Sequence, residues 1–211
     1  MEIINRKSVF DKYALEYDKW FDENKEIYHS ELLALKEVIP TNKKGLEVGV
    51  GTGRFAEPLG VEFGVEPSEA MALIASKKGI TVTKGFAEEL PFEDTSFDFV
   101  LFVTTICFLD DISKALKEVY RILKENGEII IGLIDKDSYI GRRYEKIKNS
   151  NKFYKNAKFY SVDEVVDSLK LSNFYNFSFY QTLVNINKKA IEIPQTGYGK
   201  GSFVVIKATK K

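Results

Sequence analysis

The stretch Glu47-Val48-Gly49-Val50-Gly51-Thr52-Gly53 constrains this chain more than any other. A short apolar run ends in it, three glycines stand at alternate positions, and a helix start follows. Glycine adopts backbone angles closed to other residues and lets a ligand approach the main chain closely. A helix that begins beyond such a turn offers unpaired N–H groups to an anionic group. The chain therefore carries a ligand-binding turn where a strand hands over to a helix.

The rest of the chain sets that turn in an alternating pattern. Strands are expected over residues 45–48, 61–65, 80–83, 97–103 and 128–134, with helices over 55–59, 68–77 and 112–124. The run Phe97-Asp98-Phe99-Val100-Leu101-Phe102-Val103 is apolar almost throughout, as suits a parallel sheet covered on both faces. Asn126-Gly127 reads as a helix stop, and Pro58 limits the helix after the glycine turn to about two turns.

Beyond residue 135 a polar helix is expected over 138–150, and Ser161-Val162-Asp163-Glu164 is a capping box opening a helix to about Leu171. Residues 174–185 and 202–208 alternate as two final strands, with Gly197-Tyr198-Gly199-Lys200-Gly201 in the link between them, which suggests an antiparallel pair at the sheet's edge. Upstream, residues 8–39 are helical in pattern, and Phe10, Tyr13, Tyr17, Trp20 and Phe21 form an aromatic stripe that spacing alone assigns to core packing. The expected fold class is α/β: an open, doubly wound, mainly parallel seven-stranded sheet with an antiparallel C-terminal strand pair. With no repeat or linker, residues 1–211 are expected to form a single domain.

Glycine spacing separates the ligands such a sheet binds. A dinucleotide turn needs glycines at the first, third and sixth positions, and the sixth counted from Gly49 is Arg54. Glu66, nineteen residues after Glu47 at the end of the next expected strand, can accept hydrogen bonds from both hydroxyls of a ribose. The Glu-x-Gly-x-Gly-x-Gly pattern resembles the first motif of the class I S-adenosylmethionine-dependent methyltransferases. Gly64-Val65-Glu66-Pro67-Ser68 is similar to their second motif, and Gly85-Phe86-Ala87-Glu88-Glu89-Leu90-Pro91-Phe92 with Ser96-Phe97-Asp98 to their third. The segment Ala115 to Glu128 is similar to the one preceding their fifth strand, with Glu125-Asn126 where Lys-Pro is common. The likeness runs from about Phe10 to Leu183 and is nearest to small-molecule enzymes with a methyltransferase type 11 domain.

That resemblance implies a Rossmann-like core at residues 44–135, an N-terminal helical lid in residues 1–43, and acceptor-side elements in residues 136–211. It implies S-adenosylmethionine as methyl donor and S-adenosylhomocysteine as product. By the same likeness Glu47 and the backbone of Gly49, Gly51 and Gly53 hold the methionine part, with Arg54 reaching its carboxylate. Glu66 binds the ribose, Pro67 and Met71 flank the adenine, Ala87 and Glu88 meet its edge, and the Val103 carbonyl touches the donor. Phe86 stands where an acidic residue often serves the adenine amino group, so this edge leans on backbone and stacking.

No catalytic base is identified. The donor is already activated by its positive charge, so in-line transfer demands mainly alignment and exclusion of water. His29 lies among polar neighbours and reads as a surface residue, and Cys107 reads first as a small buried hydrophobe, although it follows strand four, where acceptor residues often lie in the resembling family. Tyr17, Trp20 and Cys107 are the candidate substrate-binding residues; the aromatics around them suit a cationic amine or a flat apolar acceptor equally.

The 31 basic and 31 acidic residues balance, which argues against a nucleic-acid backbone as partner. One cysteine and one histidine make a Cys- or His-based metal site improbable. No apolar leader or membrane-length stretch occurs, so a cytoplasmic protein acting on a small-molecule acceptor is expected, with no membrane partner. The alternatives are a donor-binding protein of the same fold without catalysis, or an NAD(P)-dependent short-chain dehydrogenase using Tyr144 and Lys148, which the glycine spacing opposes.

Overall fold

Two helices, α1 (Glu2–Glu23) and α2 (Lys25–Lys36), precede the first strand of the computed structural model, which describes residues 2–185 and 190–211, with side chains from residue 9 onward. The helical pattern of residues 8–39 is thus divided at Asn24, whose side-chain amide turns back to the Trp20 carbonyl at 2.8 Å, and α1 is kinked at Tyr13. The sheet is then laid down by β1 (Gly45–Val48), β2 (Phe63–Val65), β3 (Thr81–Thr83), β4 (Phe97–Val103) and β5 (Leu123–Ile134), all mutually parallel. Between them lie α3 (Ala56–Leu59), α4 (Glu69–Lys77) and α5 (Ile112–Ile122). The chain closes with α6 (Tyr139–Ile147), α7 (Val162–Leu171), β6 (Phe174–Thr182), β7 (Gln195–Thr196) and β8 (Phe203–Lys210).

Local chemistry accounts for the helix starts. The side chains of Ser68, Asp111 and Ser138 each accept a backbone N–H in the first turn of α4, α5 and α6. At α7 the reciprocal capping box forms: Ser161 Oγ accepts from the Glu164 amide at 3.2 Å, and the Glu164 carboxylate accepts from the Ser161 amide at 2.7 Å. After the glycine turn, α3 is one turn rather than the expected two, and Gly60 in the left-handed region ends it. Asn126 and Gly127 lie inside β5 instead of just past a helix; Asn126 takes a positive φ of 58°, and the pairing of β4 with β5 slips there.

The strand order is β3-β2-β1-β4-β5-β8-β6-β7. It contains eight strands where seven were expected, the addition being the two-residue edge strand β7. The final antiparallel pair is present, but in an order the sequence does not reveal: the last strand, β8, inserts between β5 and β6. Alternation across the strands feeds two core layers. Phe99, Leu101 and Val103 of β4 face α2, α3 and α4, whereas Val100 and Phe102 face α5 and α7. Chain direction across the sheet reverses between β1 and β4, and a crevice opens beyond their carboxyl ends at that switch point. Among the described residues no helix is long and apolar enough to cross a membrane.

Candidate functional site

The glycine turn occupies the switch point, and its three glycines serve different ends. The amides of Gly49 and Val50 both donate to the Val65 carbonyl, at 2.8 and 3.0 Å, so the turn folds back over β2. A Cβ on Gly49 would stand 2.4 Å from Thr105, and one on Gly53 2.5 Å from Ile80; both have positive φ. Gly51 instead faces open space, its nearest prospective neighbour being the Met71 sulfur at 3.6 Å. Gly49 and Gly53 thus permit packing, while Gly51 leaves room for a ligand.

A cleft of about 890 Å³ lies over this turn, within the range of small-molecule sites. Gly49, Gly51, Glu66, Pro67, Met71, Ala87, Glu88, Val103 and Tyr17 all line it. Glu66 stands at its centre: its carboxylate accepts from the Gly51 amide at 2.8 Å and from the Ser68 amide at 2.9 Å. Burial pushes this carboxyl up to about 7, the two amides pull it back, and the Asp11 charge adds to the rise. The apolar side of the cleft runs from Met71 and Pro67 to the exposed ring of Phe86. The Glu88 carboxylate accepts from the Asp110 amide at 2.9 Å, tying the loop after β4 to the cleft wall.

Helix α1 closes the cleft from above. Phe10 and Tyr17 line it, and Asp11 accepts from Ser68 Oγ at 2.7 Å. Arg54, expected at a bound carboxylate, is spent on this lid: Nε and Nη2 reach Asp18 at 2.8 and 2.6 Å, and Nη1 reaches Asp22 at 2.9 Å. Lys78 adds a contact to Asp18 at 3.2 Å. Burial alone would raise the Asp18 carboxyl, but the Arg54 guanidinium holds it down at about 2. A bidentate grip of this kind fixes α1 over the turn.

Three other expected site residues also stand outside the cleft. Glu47 is buried beneath the turn with Oε2 lacking a hydrogen-bond partner, and burial pushes its carboxyl well above the usual range. Gly53 packs against Ile80 and Ala75. Trp20 packs edge-on against Phe21 at the lid's outer side, about a third exposed. Cys107 lines a second cavity of about 330 Å³, with its Sγ donating to the Thr104 carbonyl at 3.3 Å.

Thr104 borders both cavities. It follows β4 with a positive φ of 51°, a strained setting for a β-branched residue. Beside its side chain lies the Tyr17 hydroxyl, raised by burial and by the charges of Glu66, Glu47 and Glu31. The walls of the second cavity include Tyr144, Tyr154 and Phe159. The expected surface position of His29 is observed, its ring nitrogen 2.7 Å from the Lys25 carbonyl. Lys148, four residues after Tyr144, turns to Glu145 at 2.9 Å. Among the described residues no group of three or more His, Cys, Asp or Glu could hold a metal ion.

Sequence reasoning missed Phe10 as a cleft residue, along with Thr104, Thr105, Phe108, Leu109 and Asp110. The run following β4 could have been found from its place beyond a strand's carboxyl end at the switch point. The left-handed Thr104 carries no sequence signal.

The methyltransferase domain family matches residues 46–131. A solved S-adenosylmethionine-dependent methyltransferase from Thermotoga maritima, described as a possible histamine N-methyltransferase, is 50% identical with a TM-score of 0.94, covering 97% of this chain and 99% of that one. An uncharacterized protein of Methanocaldococcus jannaschii is 50% identical over 204 residues, 96% of this chain and 99% of its own. A ubiquinone/menaquinone biosynthesis C-methyltransferase of Rickettsia bellii is 32% identical over 178 residues, 75% of this chain and 66% of its own.

Proposed function

This chain belongs to the S-adenosylmethionine-dependent methyltransferases, and we propose that it passes the donor's methyl group to a small-molecule acceptor by in-line displacement, leaving S-adenosylhomocysteine. The observation that carries the reading is Glu66, a cleft-lining carboxylate locked to the Gly51 amide at 2.8 Å beside an apolar slot. That pairing fits a nucleoside: the carboxylate accepts from the ribose hydroxyls, while Pro67, Met71 and Phe86 provide apolar contact for the adenine. The Ala87 amide and Glu88 lie at the adenine edge of this arrangement. The methionine end follows the open main chain at Gly49 and Gly51 toward Val103 and Thr104.

In this reading Glu47 acts from below the turn and Arg54 through the lid, so neither touches the donor directly. The chain's contribution to the reaction is alignment. Phe10 and Tyr17 close the cleft and exclude water, and the fixed turn holds the sulfonium in line with an acceptor at Thr104. Calorimetric titration with S-adenosylmethionine, followed by turnover against pools of small acceptors, tests this. Saturable donor binding with formation of S-adenosylhomocysteine is expected. Binding without turnover in every pool would leave a donor-binding protein and sink the enzyme reading. Of the relatives, one is named a C-methyltransferase and another a possible histamine N-methyltransferase, so the acceptor has to be read from the site itself.

A further inference from the structure

Helix α2 carries a carboxylate that the donor site does not use. Glu31 is 4% exposed, and among the described residues its carboxyl has no hydrogen bond or ion pair. It precedes Leu35 by one turn on the same helix face. Leu35 packs on β5, where a Cβ on Gly132 would stand 3.3 Å from it; the next two residues of β5, Leu133 and Ile134, line the second cavity. From there the Glu31 charge reaches the hydroxyls of Tyr144 and Tyr154 in the cavity wall, and that of Tyr17 at the border with the donor cleft. Burial pushes the Glu31 carboxyl up to about 8, with no cation among its causes to oppose the rise.

A buried carboxyl is costly unless a counter-charge or hydrogen bonds meet it. The described chain supplies neither, while the surrounding rings present negative faces that favour a cation. The two cavities meet at Thr104, so a group held in the second one stands next to the proposed path of the methyl group.

We propose that the second cavity is the acceptor site and that it takes a small protonated amine, anchored by Glu31 and enclosed by Tyr17, Tyr144 and Tyr154. This rests on the donor reading above and decides between the two acceptor types that the aromatic residues alone leave open. Glu31 in its carboxylate form takes one proton from the ammonium group, giving the neutral amine. The nitrogen lone pair then forms a bond to the methyl carbon as the sulfur–methyl bond breaks, its electron pair remaining on sulfur. The products are the methylated ammonium ion and S-adenosylhomocysteine, and Glu31 returns its proton to solvent.

The test compares 2-phenylethylamine and propylamine with their alcohol counterparts, 2-phenylethanol and propanol, on the full chain with S-adenosylmethionine, reading S-adenosylhomocysteine formation. Turnover of at least one amine and of neither alcohol is expected. Glu31→Gln should lower kcat/KM for that amine by about 100-fold, the scale of an unpaired buried charge, with donor affinity changed less than about twofold. Should that variant fail to fold, thermal shift of the wild-type protein saturated with S-adenosylhomocysteine serves instead: the amine should stabilise it and the alcohol should not. Equal turnover of amine and alcohol, turnover of neither amine, amine turnover untouched in Glu31→Gln, or no selective stabilisation by the amine would overturn this proposal alone. Absence of donor binding would overturn the donor reading and this proposal with it.

Discussion

The carboxylate of Glu66 accepts a hydrogen bond from the Gly51 amide at 2.8 Å, so the end of β2 and the glycine turn after β1 behave as one unit. A ligand that engages Glu66 therefore also meets the turn in a fixed conformation. Glu66→Ala should weaken S-adenosylmethionine binding by roughly 1.5–3 kcal/mol, the scale of hydrogen bonds to a charged group. Calorimetry on the variant checks this, and unchanged affinity would contradict the placement of the ribose.

The same carboxyl makes binding depend on pH. Burial, listed first among its influences, raises Glu66 to about 7, with Asp11 pushing in the same direction and the Ser68 and Gly51 amides opposing. Only the ionised form accepts fully from two ribose hydroxyls, so donor affinity should increase as pH rises from 6 to 8. The sign for the free protein is opposite: a raised acid contributes stability present below its unfolded pKa and lost as pH rises through about 7. Titrations with S-adenosylhomocysteine at three pH values check the first effect, and a flat profile would count against it.

Gly51 and Gly53 should separate affinity from stability. Gly53→Ala places a methyl group 2.5 Å from Ile80 at a φ of +78° and should cost about 1–3 kcal/mol in unfolding free energy. Gly51→Ala meets nothing nearer than 3.6 Å and pays chiefly for its φ of +54°, about 1–2 kcal/mol, but its methyl enters the cleft. Donor affinity should therefore fall more for Gly51→Ala than for Gly53→Ala. Urea unfolding beside donor titration would reveal a reversed order.

Arg54 should act on the lid rather than on the donor's carboxylate. Arg54→Met frees Asp18 and Asp22 and should speed amide hydrogen exchange along α1. A double-mutant cycle with Asp18→Asn should give a coupling of about 1–3 kcal/mol in stability. Exchange in α1 indistinguishable from wild type would rule out the anchoring role.

Much of the donor side was legible in sequence because it depends on backbone geometry. The glycines at 49, 51 and 53 are local necessities of the turn, and Glu66 is one strand–helix unit further on, so spacing along the chain reports spacing across the crevice. Arg54 shows where such reading ends. Its proximity to the turn suggested a ligand contact, but Asp18 and Asp22, more than thirty residues earlier, compete for the guanidinium only once α1 is folded over the sheet. Trp20 fails for a related reason: helical spacing groups it with Tyr17, yet the kinked lid turns Tyr17 into the cleft and leaves Trp20 at its outer side.

By itself the sequence determined an α/β sheet with a nucleotide-type turn at its switch point, because periodicity, glycine positions and capping residues act over a few residues of chain. The tertiary structure decided the rest. It inserted β8 between β5 and β6, a choice of sheet neighbour that no local pattern encodes. It also brought Glu31 of α2 within electrostatic reach of Tyr144 and Tyr154, more than a hundred residues away in sequence. A carboxylate's environment depends on what surrounds it in space, so only the folded chain could mark Glu31 as a buried charge in need of a partner.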